Sequence, residues 1–415
     1  MAAASHIRGA AERCVAWLSA NRVVALRWLL VLCQAATIVL TWPLWQVRES
    51  PPLLPAVGLP QMSVGIALLA SLVLLLRAPR AGVAVHVALL LYAFVADQTR
   101  LQPQIVSLAL LLFGTCAVPA AGPVARAHLI SLWIWSGLNK ALSVEFTHRT
   151  ALLLFDNLPF GPSWLRGSFG WMIIVSEVAV GVCLLVAPLR RAGVVLAFLV
   201  HGMVLLVLVP GRWSVSVWPW NVALPLSAAV LFWPRAAATE VVWSPRRARL
   251  LLAALLVLPV GFYGGWVDAY LVHHVYSDTG ATGLVCRADA GCSPAPFLAP
   301  YRPMRALLPP EPRLFVAHFE AICRPGDRLV VYPRRVRIRF GRNTEPLRRA
   351  CPVRRPAPSS RTAPPDRSSR ARSSAGARIA PPAPRSTRRR AAPARLEALP
   401  RSPAARPGPW PGRRG

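Results

Sequence analysis

The stretch Trp133-Ile134-Trp135-Ser136-Gly137-Leu138-Asn139-Lys140 closes an apolar run that begins near Val124, and it ends on the only lysine of the chain. Every other strong base is an arginine. A compact ammonium on a flexible stem behaves as a point charge, which a planar guanidinium does not. Lys140 therefore either snorkels from a helix end to a membrane interface or turns inward to a partner. The run itself decides the fold class, because about 20 apolar residues are what a helix needs to cross ~30 Å of hydrocarbon.

The same pattern repeats outward from this stretch. Of 415 residues, 54% are hydrophobic, yet the formal charge is +32, so charge and apolar surface must be segregated along the chain. Apolar runs fill residues 23–267, and Arg and Pro crowd the C-terminal end. Nine candidate spans emerge: Val23–Trp42, Gly58–Leu76, Ala81–Ala96, Gln104–Ala121, Val124–Leu142, Trp171–Ala187, Ala192–Val209, Trp213–Trp233 and Leu250–Val267. The first is too long for a cleavable signal and lacks a small-residue cleavage site after it. The expected fold is an all-α polytopic membrane protein of about nine transmembrane helices, with a small α+β extracytoplasmic region and a disordered tail. Its parts are a basic cytoplasmic arm (1–22), four N-terminal spans (23–123), a four-helix core (124–233), a cytoplasmic loop with the ninth helix (234–267), a cap (268–351) and an Arg/Pro/Ala-rich tail (352–415).

Arginine placement orients this arrangement. Arg8, Arg13, Arg22, Arg77, Arg80, Arg126, Arg190, Arg191, Arg235, Arg246, Arg247 and Arg249 fall on one side, against Arg48, Arg100, Arg149, Arg166 and Arg212 on the other. The positive-inside rule then predicts a multi-pass protein of the cell membrane with a cytoplasmic N-terminus and an extracytoplasmic C-terminal region. Cys286, Cys292, Cys323 and Cys351 fall in that outer region, where disulfides persist, and three pairings are open to them. No C-x-x-C occurs, so the chain is not itself a thioredoxin-type dithiol. Within the cap, Gly283–Arg287 reads as a strand, Glu311–Cys323 as a helix, Pro325-Gly326-Asp327 as a turn and Arg328–Arg339 as one or two strands. The tail carries Trp410 alone among aromatics, and on the outer side it faces anionic lipid or cell-wall polymer; no specific nucleic-acid partner is expected.

Four polar residues stand inside successive spans: Lys140, Glu177, His201 and Asn221. Glu177 lies about six residues, or ~9 Å, from the outer end of its span, at the depth of Lys140. A carboxylate in hydrocarbon is costly unless paired, so Lys140 is its expected partner. Trp133, Ser136, Asn139, Trp218, Trp220 and Asn221 are the candidate ligand-binding residues, with the indoles as flat walls suited to a quinone or another planar lipid-soluble ligand. In that reading Lys140, Glu177 and His201 are the catalytic candidates, and His201 relays a proton. The competing reading is an ion pair that only clamps the fifth span to the sixth. No covalently bound cofactor is expected, and no metal-ligand spacing occurs within these spans.

These residues carry a resemblance. The run from Arg126 to about Pro210, with Ser136-Gly137-x-x-Lys140, then Leu158-Pro159, then Glu177-x-x-x-Gly181 and the pair Arg190-Arg191, resembles the DoxX/MauE-like superfamily of four-helix membrane proteins. The resemblance implies a DoxX-like core over about 124–233 and redox or thiol-linked work at the outer face, quinone-linked in DoxX-like proteins and maturation-linked in MauE-like ones. It also implies redox or maturation partner proteins beside the lipid bilayer. A more distant likeness, in helix order and an outer β-containing part, is to vitamin K-dependent carboxylases. That likeness would make Lys140 or His201 a base acting on a reduced quinone. A non-catalytic structural membrane module is the third reading.

Overall fold

The computed structural model describes residues 21–158, 161–233, 246–274, 276–287, 291–334, 336–337 and 345–352. The expected basic arm, save its last two residues, and the expected tail beyond Pro352 lie outside these residues, as do Pro159 and Phe160.

The described chain is mostly helical and carries one small antiparallel sheet. The bundle helices are α1 (Arg22–Leu40), α2 (Gly65–Arg77), α3 (Pro79–Ala96), α4 (Pro103–Phe113), α5 (Ala121–Ala141), the short α6 (Ala151–Asp156), α7 (Phe169–Leu185), α8 (Arg190–Leu208) and α9 (Trp218–Phe232). The segments Arg22–Leu40, Pro79–Ala96, Ala187–Leu208 and Val215–Phe232 are long and apolar enough to cross a membrane. Gly65–Arg77, Pro103–Phe113 and Phe169–Leu185 are apolar but shorter. Large apolar side chains face outward, among them Ile66 at 75% exposure and Leu199 at 64%. Such a surface suits lipid and not water, and the chain is a membrane protein.

Where helices depart from the expected spans, proline and turn chemistry explain it. The second begins at Gly65 and not Gly58; Pro60 lies within the expected span, has no amide to donate and disfavours helical backbone at Leu59. The fourth ends at Phe113, where Gly114 passes into a tight turn, and does not continue to Ala121. The eighth starts at Trp218, which puts Pro219 in the first turn where it interrupts nothing; Pro225 alone lies inside the helix. The ninth is broken into α10 (Arg246–Val257) and α11 (Val260–Tyr263) around Pro259.

Buried polar pairs join the N-terminal helices. His86 of α3 accepts or donates at both ring nitrogens, to Gln34 of α1 at 3.1 Å and Ser71 of α2 at 2.8 Å. Asp97 receives Arg48 at 2.6 Å, the Thr99 hydroxyl and the Leu54 amide, so the loops after α1 and α3 are fixed together.

The cap contains α12 (Ala295–Leu298), α13 (Pro312–Ile322) and strands β1 (Thr282–Arg287), β2 (Gly291–Ser293), β3 (Arg328–Tyr332) and β4 (Leu347–Ala350), in the order β2-β1-β3-β4. Alternate residues of β1 and β3 point inward, and Val285, Leu329 and Val331 pack with Phe297, Leu314, Phe315 and Phe319. The disulfides are Cys286–Cys292, across β1 and β2, and Cys323–Cys351, from the end of α13 to the residue after β4. The strand expected over Arg328–Arg339 stops at Tyr332, before Pro333. The chain then leaves the sheet: Val336 bridges to Ser143, and the Arg337 amide donates to the Leu142 carbonyl at 2.8 Å. Arg334 stacks over Phe262 and donates to Glu311 at 2.6 Å, another joint between cap and bundle.

Candidate functional site

Helices α5 and α7 run antiparallel, and their closest approach is made by two glycines. A Cβ on Gly137 would stand 2.8 Å from the Ile174 carbonyl oxygen and 2.6 Å from Val178 Cγ2. A Cβ on Gly181 would stand 2.5 Å from Ile134 Cγ1 and 3.0 Å from the Ile130 carbonyl oxygen. Each glycine thus admits the other helix's backbone, as small residues do in membrane helix pairs. The crossing brings Glu177 opposite Ser136. Helical side chains lean toward their own N-terminus, so the Lys140 stem runs back one turn to the same level.

There the Lys140 ammonium meets Glu177 Oε1 at 3.0 Å and Oε2 at 2.7 Å, and Ser136 Oγ at 2.8 Å. The Ser136 carbonyl lies at 3.3 Å as well, so the ammonium's three donors are shared among four acceptors. Lys140 is 5% exposed and Glu177 8%, and the Phe146 ring lies with its centroid 5.9 Å from the ammonium. A pair so enclosed is neutral as a unit, whereas either charge alone would be strongly unfavourable.

A second group lies deeper. The Trp133 indole donates to His201 Nε2 at 3.0 Å, and His201 Nδ1 meets Asn221 Oδ1 at 2.8 Å. An indole can only donate, so Nε2 carries the lone pair, and a neutral ring then donates its Nδ1–H to Asn221. Asn221 passes the chain on, donating to the Val217 carbonyl at 2.9 Å. Both nitrogens of His201 are engaged, and a proton relay through it requires one of these bonds to open.

The remaining candidates hold separate positions. Asn139 is fully buried, donating to the Val272 carbonyl and accepting from the Tyr263 hydroxyl, both at 2.7 Å. Trp220 donates to Ser107 Oγ at 2.9 Å, and that hydroxyl also contacts His128 Nε2 at 2.8 Å. Trp218 donates to the Trp213 carbonyl at 2.9 Å. Lys140, Glu177 and Ser136 therefore form one group, and Trp133, His201 and Asn221 another. Asn139, Trp218 and Trp220 serve other contacts.

Some partners were not foreseen from sequence. Ser131 Oγ donates to the Leu255 carbonyl and Trp135 Nε1 to the Leu256 carbonyl, both at 2.8 Å. Residue 259 would supply the amide for Leu255, but it is proline, and the helix ends before one can reach Leu256. The proline is the signal from which such a contact could have been sought. Phe146 over Lys140 left no comparable trace.

No curated protein and no solved structure matches the chain. The expected core of 124–233 exceeds what a family model covers, since the match stops before α9. Residues 118–212 match the family model of methylamine utilisation protein MauE, and the segment that carries Lys140, Glu177 and His201 is MauE-like.

Proposed function

We propose that this multi-pass membrane protein is an accessory subunit for quinone-linked redox work or thiol maturation at the outer face, with Lys140 and Glu177 as its functional pair. One observation carries the reading: the sole lysine is ion-paired with Glu177 at 2.7 Å within the MauE-like segment. A buried pair that neutralises itself can exchange partners with an incoming oxygen-bearing ligand without leaving net charge in hydrocarbon. A quinone, whose carbonyls accept hydrogen bonds from an ammonium, is the ligand class that fits such a donor. His201 and Asn221 stand deeper as a polar group of the same core.

Nine crossings, a cytoplasmic N-terminus and an extracytoplasmic cap belong to the same proposal. Support comes from the arginine asymmetry and from the disulfides Cys286–Cys292 and Cys323–Cys351, which are typical of oxidising compartments. The partners are the bilayer and a redox or maturation client. A DoxX-like helical arrangement extends the reading to α9, which packs against α8 and α5.

The test is extraction of quinone from purified wild-type protein and from Lys140→Ala and Lys140→Arg. Quinone retained by wild type and lost in both variants is the expected result. Equal, negligible quinone in all three, with stability as the sole difference, would reduce the pair to a helix clamp.

A further inference from the structure

Among the described residues, six that are not glycine have a left-handed backbone: Arg212, Ser214, His273, Tyr276, Asp278 and Arg305. Their φ values lie between 45° and 60°. Residues with a Cβ visit this region rarely, and where they persist they cluster at ligand clamps and other functional sites. Five of the six line one cavity of about 940 Å³, and the sixth precedes His274, which also lines it. The cavity lies between the cap and the outer loops of the bundle, and its lining does not include Lys140, Glu177 or His201.

Its charge is unbalanced. Arg149, Arg212, Arg302 and Arg305 line it against two carboxylates, Glu145 and Asp278, an excess of two positive charges (four minus two). Arg149 is paired with Glu145, and Asp278 accepts from the Thr150 hydroxyl. Among the described residues, no carboxylate lies within ion-pair distance of Arg212, Arg302 or Arg305. Other parts of the wall are apolar, including Trp213, Val215, Phe297 and Leu298.

We propose that this cavity is a binding site for a phosphate monoester with an apolar body, its phosphate held by Arg212, Arg302 and Arg305. Guanidinium groups bind phosphate oxygens in a bidentate fork, and a doubly charged phosphate matches the surplus where a single carboxylate does not. Roughly 300–1,000 Å³ is the usual range for small-molecule pockets, so the space takes the head and the start of the apolar part of such a ligand. The molecule comes from the outer leaflet as an anionic lipid or from solution as an amphiphilic phosphate.

The experiment uses the full chain in detergent. Native mass spectrometry measures retention of dioleoyl phosphatidic acid against dioleoyl phosphatidylcholine, and calorimetry measures binding of hexyl phosphate. Wild type is expected to retain a phosphate monoester in preference to phosphatidylcholine, a diester, and Arg212→Gln with Arg305→Gln to bind it at least about tenfold more weakly. Arg287→Gln, an exposed arginine of β1 outside the cavity, is expected to bind as wild type does. Retention of phosphatidic acid without hexyl phosphate binding identifies a membrane source, and hexyl phosphate binding alone a soluble one. Binding of both identifies the shared head group. Equal retention of both lipids with no hexyl phosphate binding, or an equal loss in Arg287→Gln, would overturn the site. If the double variant does not fold, Arg302→Gln, whose backbone is in the ordinary helical region, replaces it with the same readings.

Discussion

Lys140 Nζ lies 2.7 Å from Glu177 Oε2, and two glycines bring the helices close enough for the charges to meet. Gly137 and Gly181 let α5 and α7 approach until a lysine curling back one turn reaches a carboxylate on the facing helix. Removing one partner leaves the other charge buried, so Glu177→Ala and Lys140→Met should each lower stability by about 3–5 kcal/mol. Lys140→Met combined with Glu177→Leu should recover most of that loss. Unfolding of the three variants in one detergent checks this, and strictly additive losses would mean that the two side chains do not depend on each other.

The glycines make an independent prediction. Gly181→Ala places a methyl 2.5 Å from Ile134 Cγ1 and beside a backbone carbonyl that cannot move freely, so the helices must separate. Gly202 of α8 has nothing within 4 Å of its would-be Cβ. There alanine only improves helix propensity, by roughly 1 kcal/mol. Gly181→Ala should therefore lower the unfolding temperature, while Gly202→Ala should raise it or leave it unchanged. The opposite order would contradict the close approach of α5 and α7.

Much of this site is legible in sequence because hydrocarbon penalises a lone charge. Glu177 sits inside an apolar run, and Lys140 is the lysine at matching depth, so their meeting follows from depth and electrostatics without knowledge of packing. The disulfide pairs are a different case. An oxidising compartment is the expectation that arginine placement raises for them, but which cysteine meets which depends on the strand register that sets Cys286 opposite Cys292, and spacing alone left three pairings open. The acceptors of the indoles are hidden from sequence for a related reason. Trp133, Trp218 and Trp220 read as flat walls, yet each N–H in a dry interior needs an acceptor, and each finds a different one. Helix ends at Phe113 and Val257 are blurred in sequence because hydropathy averages over the residues that break a helix.

The cap should be acid-sensitive through His318. This ring is buried beside Phe297 and contacts the Tyr301 hydroxyl at 3.1 Å, and burial pushes its pKa from 6.5 down to about 4. The unfolded chain thus binds a proton that the folded cap resists. Stability from the neutral ring is full above pH 6.5 and is lost as pH falls toward about 4, on the order of 3 kcal/mol across the window. Glu311 acts in the opposite sense, since burial raises its pKa against the pull of Arg334. Its contribution is greatest when protonated and declines as pH rises through the raised value. Hydrogen exchange of residues 312–322 between pH 7 and 4 should show the cap loosening, and His318→Gln should flatten that dependence. An unchanged slope in the variant would assign acid sensitivity elsewhere.

The joint between α5 and the broken ninth segment yields a coupling test. Pro259 cannot supply the amide that would cap the Leu255 carbonyl, and Ser131 Oγ supplies a donor from α5 at 2.8 Å instead. In the wild-type background Ser131→Ala removes that donor, and a carbonyl left without a partner costs about 1–3 kcal/mol. Pro259→Ala restores an amide at the position where the next helical hydrogen bond is due. In that background the same Ser131→Ala change should cost much less, because the carbonyl has an alternative partner within its own helix. The four unfolding measurements form a double-mutant cycle, and coupling of at least 0.5 kcal/mol is the sign expected of residues that share one acceptor. Zero coupling would mean that Ser131 acts by filling space beside α10, and that the break at Pro259 is satisfied by other groups.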